Sequence, residues 1–214
     1  MGRSLTSLFS PTDEQMMWRV KLQDDPQAFA RLVARWEKPI QRLCARMTGD
    51  AHRAEDLTQT AFARVFTRRK EWEPAGRFST FLWRIALNLC HDEVRRIRRR
   101  SEFSLEALDD ENAPASESLA AEDVPPDAQA ELRERGDLVR QALLDLAPPY
   151  REVVVLRHYQ GLKFREIGEV LGIPDGTVKS RMAEALSQLN QLLKPINEDA
   201  PCKLKIQTPE VPAR

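Results

Sequence analysis

Phe164-Arg-Glu-Ile-Gly-Glu-Val-Leu-Gly-Ile-Pro-Asp-Gly-Thr-Val-Lys-Ser-Arg-Met182 is the stretch whose spacing decides the fold. Ile167, Val170 and Leu171 recur at helical intervals, and Gly172-Ile173-Pro174 then breaks the run. Asp175 can cap a second helix that buries Val178, Met182 and Ala185. Two helices joined by a three-residue turn with a glycine make a helix-turn-helix, whose second helix suits the major groove. Thr177, Ser180, Arg181, Glu184 and Gln188 lie opposite the apolar stripe, with Lys179 at its flank. Their polarity suits base edges and phosphates, since Arg reads guanine and Ser or Thr is adaptable. An ordinary αα-corner with a solvated face has the same pattern, so the motif alone leaves both readings open.

Working outward, Leu138, Ala142 and Leu146 mark a helix upstream that Pro148-Pro149 should stop. Pro149 can open the next one, presenting Val153, Leu156 and Tyr159 before Gly161. Downstream, Leu189 and Leu192 continue the last helix until Pro195, which is expected to end it. A second helical block occupies residues 24–101. Asp25 can cap a helix with Pro26 in its first turn, and its apolar face runs through Phe29, Leu32, Trp36, Ile40, Leu43, Cys44 and Met47, with a kink expected at Pro39. After Thr48-Gly49-Asp50, Ala54, Leu57, Ala61, Phe62, Val65 and Phe66 define another inward face. Ser79 can cap a third helix burying Leu82, Ile85, Ala86 and Leu89, which runs out into Arg95–Arg100. No stretch alternates like a half-buried strand. The expected class is all-α, as two small helical domains.

Charge separates these pieces. The chain carries 33 Lys and Arg against 33 Asp and Glu, so it is neutral overall. Residues 24–101 hold 17 bases and 10 acids, residues 135–195 hold 9 and 7, and residues 102–134 hold 1 base and 11 acids. So acidic a stretch, with Pro114, Pro125 and Pro126, reads as a flexible, disordered linker. Residues 1–23 read as an N-terminal extension and residues 196–214 as a tail. No apolar run reaches the roughly 18–20 residues needed to span a bilayer, and no secretory leader is visible. Three dispersed cysteines, Cys44, Cys90 and Cys202, fit a reducing cytoplasm better than a disulfide framework.

Enzyme signatures are missing. His52, His91 and His158 fall on separate helices, without the His or Cys spacing of a metal site. Eight glycines in all, with no Gly-x-Gly-x-x-Gly or Walker loop, leave little for phosphate-cradling chemistry. The expectation is no catalytic residue, no cofactor and no metal. Aromatic residues do interleave with bases in the first block: Trp72, Phe78, Phe81 and Trp83 lie between Arg68-Arg69-Lys70 and Arg84. Exposed rings stack unpaired bases while Arg and Lys hold the backbone. Several of these rings must nevertheless be core, Phe78 and Phe81 before Trp83.

Both blocks carry motifs of one family. Asp56-Leu-Thr-Gln59-Thr-Ala-Phe62, Phe78-Ser-Thr-Phe-Leu-Trp-Arg-Ile-Ala-Leu-Asn88 and Asp92-Glu-Val-Arg-Arg96 resemble the second conserved region of bacterial sigma factors. Leu146-Ala-Pro-Pro-Tyr-Arg-Glu-Val-Val-Val-Leu156 and the helix-turn-helix resemble the fourth. With both regions and little between them, the chain resembles an extracytoplasmic-function (ECF) sigma factor of the sigma-70 type. The resemblance implies that the first block binds core RNA polymerase through Asp56, Gln59, Phe62 and Phe66 on the β′ clamp. It also implies capture of single-stranded −10 promoter DNA by Arg77, Phe78, Ser79, Thr80, Trp83, Arg84, Asn88, Arg95 and Arg96. The second block would meet the β flap and read −35 duplex through Thr177, Lys179, Ser180, Arg181 and Glu184. An anti-sigma partner, a cytoplasmic location and no membrane insertion complete the picture. Two positions depart from the family pattern: Thr60 stands where an acid is usual, and Glu184 where many members have a base. The linker would cross polymerase channels that otherwise take nucleic acid. Rival readings are a stand-alone helix-turn-helix regulator that does not bind core polymerase, and a single-strand RNA-binding protein.

Overall fold

In a computed structural model the described residues are 11–104 and 126–198, and they form helices with no strand among them. Chain order is α1 (Asp13–Gln23), α2 (Pro26–Thr48), α3 (Ala51–Thr67), α4 (Phe78–Ser104), α5 (Pro126–Asp145), α6 (Pro148–Val154), a π-helical turn (Val155–Tyr159), α7 (Phe164–Leu171) and α8 (Asp175–Glu198). The all-α class follows from the 3.6-residue periodicity already visible in the sequence.

The first block is a four-helix bundle. Helix α1 lies within the segment read as an extension. Thr12 caps it through the Gln15 amide, and Met16, Met17 and Val20 sink into the core. Its polar side ties it down further. Asp13 accepts from Arg35 at 2.5 Å and from the Trp36 indole at 3.0 Å, both on α2. Asp25 caps α2 through the Gln27 and Ala28 amides, as expected, with Pro26 in the first turn. Pro39 stays inside that helix, and the carbonyl at that position accepts a long bond from the Gln160 side chain. Asp50 caps α3.

Helix α4 begins one residue before the expected cap, at Phe78, so Ser79 lies within the helix rather than at its boundary. The Phe78 amide reaches the Glu14 carboxylate on α1 instead. Cys44 and Cys90 are both fully buried where α2 meets α4, which matches the reading of Cys44 as a small core residue. A hydrogen bond to Cys44 and burial together hold the Cys90 thiol well above its ordinary range.

The stretch 102–134 is helical at both margins, because α4 runs to Ser104 and α5 begins at Pro126. The linker expectation otherwise concerns residues 105–125, outside the described residues, as does the tail from residue 199. In the second block, α6 starts at Pro148 and passes into the π-helical turn, where the Gln160 amide donates five residues back to Val155. Pro195 does not end α8, which continues to Glu198. The two blocks pack together, and one apolar cluster runs from Met16 to Ala185 across both.

Candidate nucleic-acid interface

The helix-turn-helix forms as its spacing demanded. Gly172 takes a left-handed conformation (φ 68°) and its amide closes on the Gly168 carbonyl, as does that of Ile173. A β-carbon on Gly168 would sit 2.8 Å from the Ile173 carbonyl oxygen, so only glycine lets α7 approach the turn this closely. Asp175 is the first residue of α8 rather than its cap, and places an acid in the first turn. Val178, Met182 and Ala185 are buried. On the opposite side Lys179, Ser180 and Glu184 are exposed, while Thr177, Arg181 and Gln188 are half-buried. Gln188 donates to Glu184 at 2.8 Å, holding that carboxylate on the helix surface.

In the first block, α4 presents one polar stripe. At about 100° per residue, Arg77, Arg84, Asn88, His91 and Arg95 fall within one narrow sector of the helical wheel. Arg84, Asn88 and Arg95 are exposed, Arg77 is exposed just before the first turn, and Ser79 and Thr80 are half-buried beside it. Beyond Arg95, the side chains of Asp92, Arg95, Arg98 and Arg99 line an open cavity of about 560 Å³. The sequence reading missed His91 as a member of this stripe; its seven-residue offset from Arg84 was the available signal.

The aromatic expectation needs correcting. Phe78 is fully buried, Trp83 is 3% exposed and Trp72 is 2% exposed. Phe78 and Trp83 pack edge-on against the Trp36 ring at 6.3 and 5.5 Å. Phe81 is half-buried against the same core. The cause is α4's position: it packs on α1, α2 and α3, so residues one step off the polar stripe are drawn inward. Phe78 and Trp83 are therefore core residues in this structure. Arg96 donates to Glu93 at 2.8 Å, while Arg53 approaches the same carboxylate at 3.5 Å.

The candidate clamp surface divides in the same way. Asp56 and Gln59 are exposed on α3, and Phe66 is 36% exposed beneath the Arg69 guanidinium, 4.4 Å from its ring centre. Phe62 is only 6% exposed and stands edge-on to Phe29 at 6.4 Å, so it supports the surface from below. Thr60 bonds its own helix, donating to the Asp56 carbonyl at 2.8 Å.

Residues 32–100 match the family model of sigma-70 region 2, and residues 136–189 match that of sigma-70 region 4. The chain is 35% identical over 170 residues to the ECF RNA polymerase sigma factor SigW of Bacillus subtilis, covering 79% of this chain and 91% of that one. The chain belongs to the ECF sigma factors. It is also 38% identical to the sigma factor SigE of Mycolicibacterium smegmatis, over 76% of this chain and 60% of that one. The fold likewise resembles CnrH, solved in complex with the cytosolic domain of CnrY. The TM-score is 0.62, with 23% identity, covering 88% of this chain and 99% of that one. This sigma factor is thus an RNA polymerase-binding transcription initiation factor of a non-enzymatic family. Among the described residues no helix is long and apolar enough to cross a membrane, and no cluster of three or more His, Cys, Asp or Glu could hold a metal ion.

Proposed function

We propose that this sigma factor reads its promoter with two polar faces on separate helices. The α4 stripe, Arg77, Arg84, Asn88 and Arg95 with Ser79 and Thr80 beside it, takes the unpaired −10 strand. The face of α8 carrying Thr177, Lys179, Ser180, Arg181 and Glu184 takes the −35 duplex. The observation that carries this reading is the single-sector alignment of the α4 polar residues above a sealed aromatic core. With Trp72, Phe78 and Trp83 buried, these polar groups rather than the stacked rings of the sequence expectation supply strand capture. Arg and Asn at such positions can bond both the sugar-phosphate chain and the edges of displaced bases.

Asp56 and Gln59, exposed together on α3, are the polar part of the β′ clamp contact, and Phe66 is its apolar part. Asp56→Ala should weaken association with core polymerase by about tenfold, the effect of losing one charged hydrogen bond, without shifting the melting temperature. Co-sedimentation with purified core measures the first and a thermal scan the second. Tight core binding by the variant would move the docking surface elsewhere.

Glu184 marks the −35 specificity. A carboxylate on a recognition helix accepts from the cytosine amino group and repels phosphate. Glu184→Arg should change the promoters selected in a pooled-promoter transcription assay, with discrimination shifting by about 1–3 kcal/mol at one base pair. Unchanged selectivity would remove Glu184 from the reading surface.

The sigma factor works in the cytoplasm on this reading, without catalysis of its own. The structure of the sigma factor RpoE with the anti-sigma factor NepR from Bartonella quintana supports an anti-sigma partner here too. The RpoE match has a TM-score of 0.60 at 20% identity, covering 78% of this chain and 96% of that one. The deciding experiment is transcription from fragmented genomic DNA of the source organism by core polymerase plus this chain, with start sites mapped. Initiation at a defined set of promoters sharing −10 and −35 elements is expected. A chain that binds duplex DNA but adds no start sites would instead be a stand-alone regulator.

A further inference from the structure

We infer that α1 is a positioning brace for promoter capture: Glu14, Lys21 and the capping residue Asp24 hold the α3–α4 connection so that α4 meets the −10 strand in register. This role rests on the reading of the α4 stripe given above. Helix α1 lies ahead of the residues that match sigma-70 region 2, in a segment that reads from sequence alone as an extension. Its contacts nevertheless fall on both ends of the connection, residues 68–77. At the near end the Lys21 ammonium donates to the Trp72 carbonyl at 2.6 Å, and the Arg69 guanidinium donates to the Asp24 carboxylate at 2.5 Å. At the far end the Phe78 amide donates to the Glu14 carboxylate at 3.4 Å.

One helix reaches both ends because of its spacing. Glu14, Met17 and Lys21 follow the i, i+3, i+7 steps that share a helical face. Met17 is fully buried and seats that face on the core. The two charged residues then stand about 10 Å apart along the axis, one for each end of the connection. Asp24 closes α1 in a left-handed conformation (φ 50°). Its partner Arg69 also covers the Phe66 ring and donates to the Phe66 carbonyl at 2.9 Å, so the brace touches the candidate clamp surface as well.

The connection joins the two working surfaces. Helix α3 carries Asp56, Gln59 and Phe66, while Arg77, Ser79 and Thr80 stand where α4 begins. Within the connection the Glu71 amide bonds the Arg68 carbonyl and the Gly76 amide the Glu73 carbonyl, both at 2.9 Å. Such turns close locally and leave the placement of the segment over the bundle to outside contacts. Lys21 should contribute most, through a part-buried charged bond to the backbone of a residue that is itself buried. The Asp24 side chain is 61% exposed, so its pairing with Arg69 is screened and contributes less. Without the Lys21 ammonium the Trp72 carbonyl loses its donor, and the connection can shift to hydrate it. The loss then falls on the placement of Arg77, Ser79 and Thr80 rather than on folding.

The test compares holoenzymes assembled from core polymerase and the full chain carrying Lys21→Met, Lys21→Arg or Asp24→Gly. Methionine keeps an apolar stem, and glycine keeps the left-handed backbone while deleting the carboxylate. Binding of a fluorescent single strand spanning the −10 element of a mapped promoter is read by anisotropy. Affinity for core and the unfolding midpoint of the free chain are measured beside it. Lys21→Met should weaken strand capture by about fivefold to tenfold, the scale of one charge-assisted hydrogen bond. Its core affinity should stay within about twofold and its midpoint within about 3 °C of the parent. Lys21→Arg should recover most of the capture, and Asp24→Gly should lose about twofold. Parental capture by Lys21→Met overturns the brace. So does an equal loss of capture and core binding with a lower midpoint, which would make α1 a general support of the bundle. Asn88→Ala separates this from failure of the promoter reading, because it should lose strand capture whatever α1 does. Loss there with parental capture by Lys21→Met rejects only the brace; parental capture by Asn88→Ala rejects the stripe as strand reader and the brace with it.

Discussion

Phe78→Ala should lower the stability of this sigma factor by about 3–5 kcal/mol, the usual cost of removing a fully buried aromatic side chain. The size follows from where the ring sits. Phe78 opens α4, is completely buried, and stands edge-on to Trp36, which also receives Trp83. Alanine would leave a cavity between α1, α2 and α4 that these rigid neighbours fill poorly. It would also forfeit the edge-to-face contact, about 0.5–1.5 kcal/mol beyond the buried area. Phe78→Leu keeps most of the volume and should recover more than half the loss. Urea unfolding at constant ionic strength measures both variants. If Phe78 were instead a stacking platform for a −10 base, the variant would keep its unfolding midpoint and lose promoter opening. A normal midpoint with failed opening would refute the core assignment.

Arg151→Met should cost about 3 kcal/mol, because it strands three buried carbonyls at once. Arg151 is 4% exposed. Its guanidinium donates to the Met47 carbonyl at 2.6 Å, to the Leu146 carbonyl at 3.0 Å and to the Leu144 carbonyl. These oxygens lie near the C-terminal ends of α2 and α5, where the helix dipole is negative and a cation is favoured. Burial pushes the Arg151 pKa down from its ordinary value, but the group stays charged at neutral pH. Methionine fills a similar length without a single donor. Arg151→Lys restores one charge and no planar fork, so it should recover only part of the loss. Because Met47 belongs to the first block and Leu144 and Leu146 to the second, the variant should also loosen the packing between blocks. An unfolding free energy within about 0.5 kcal/mol of the parent would show that these bonds contribute nothing net.

The helix-turn-helix was the most legible feature, since the Gly172 break and the Val178–Met182–Ala185 spacing are local requirements that no distant contact alters. Other local rules met competition. Ser79 had the chemistry of a cap, yet Glu14 from α1 captured the Phe78 amide and α4 began at Phe78, ahead of the expected cap. Pro195 should have stopped α8, but a proline removes only one donor and clashes with one carbonyl, so the helix passed it. Helix α1 went unread because its apolar residues, Met16, Met17 and Val20, are few and flanked by polar ones.

The amino-acid sequence by itself determined most of the helices and the family, because periodicity, caps and motif spacing are encoded within a few neighbouring residues. Tertiary structure alone decided which side of α4 faced inward, placing Phe78 and Trp83 in the core. It alone also set Arg77, Arg84 and His91 against α6 and α7. Those outcomes depend on partners about 60 to 90 residues away, such as Glu152 and Glu166. A helical wheel defines a face but not its neighbour; burial and charge pairing across the fold assign that neighbour.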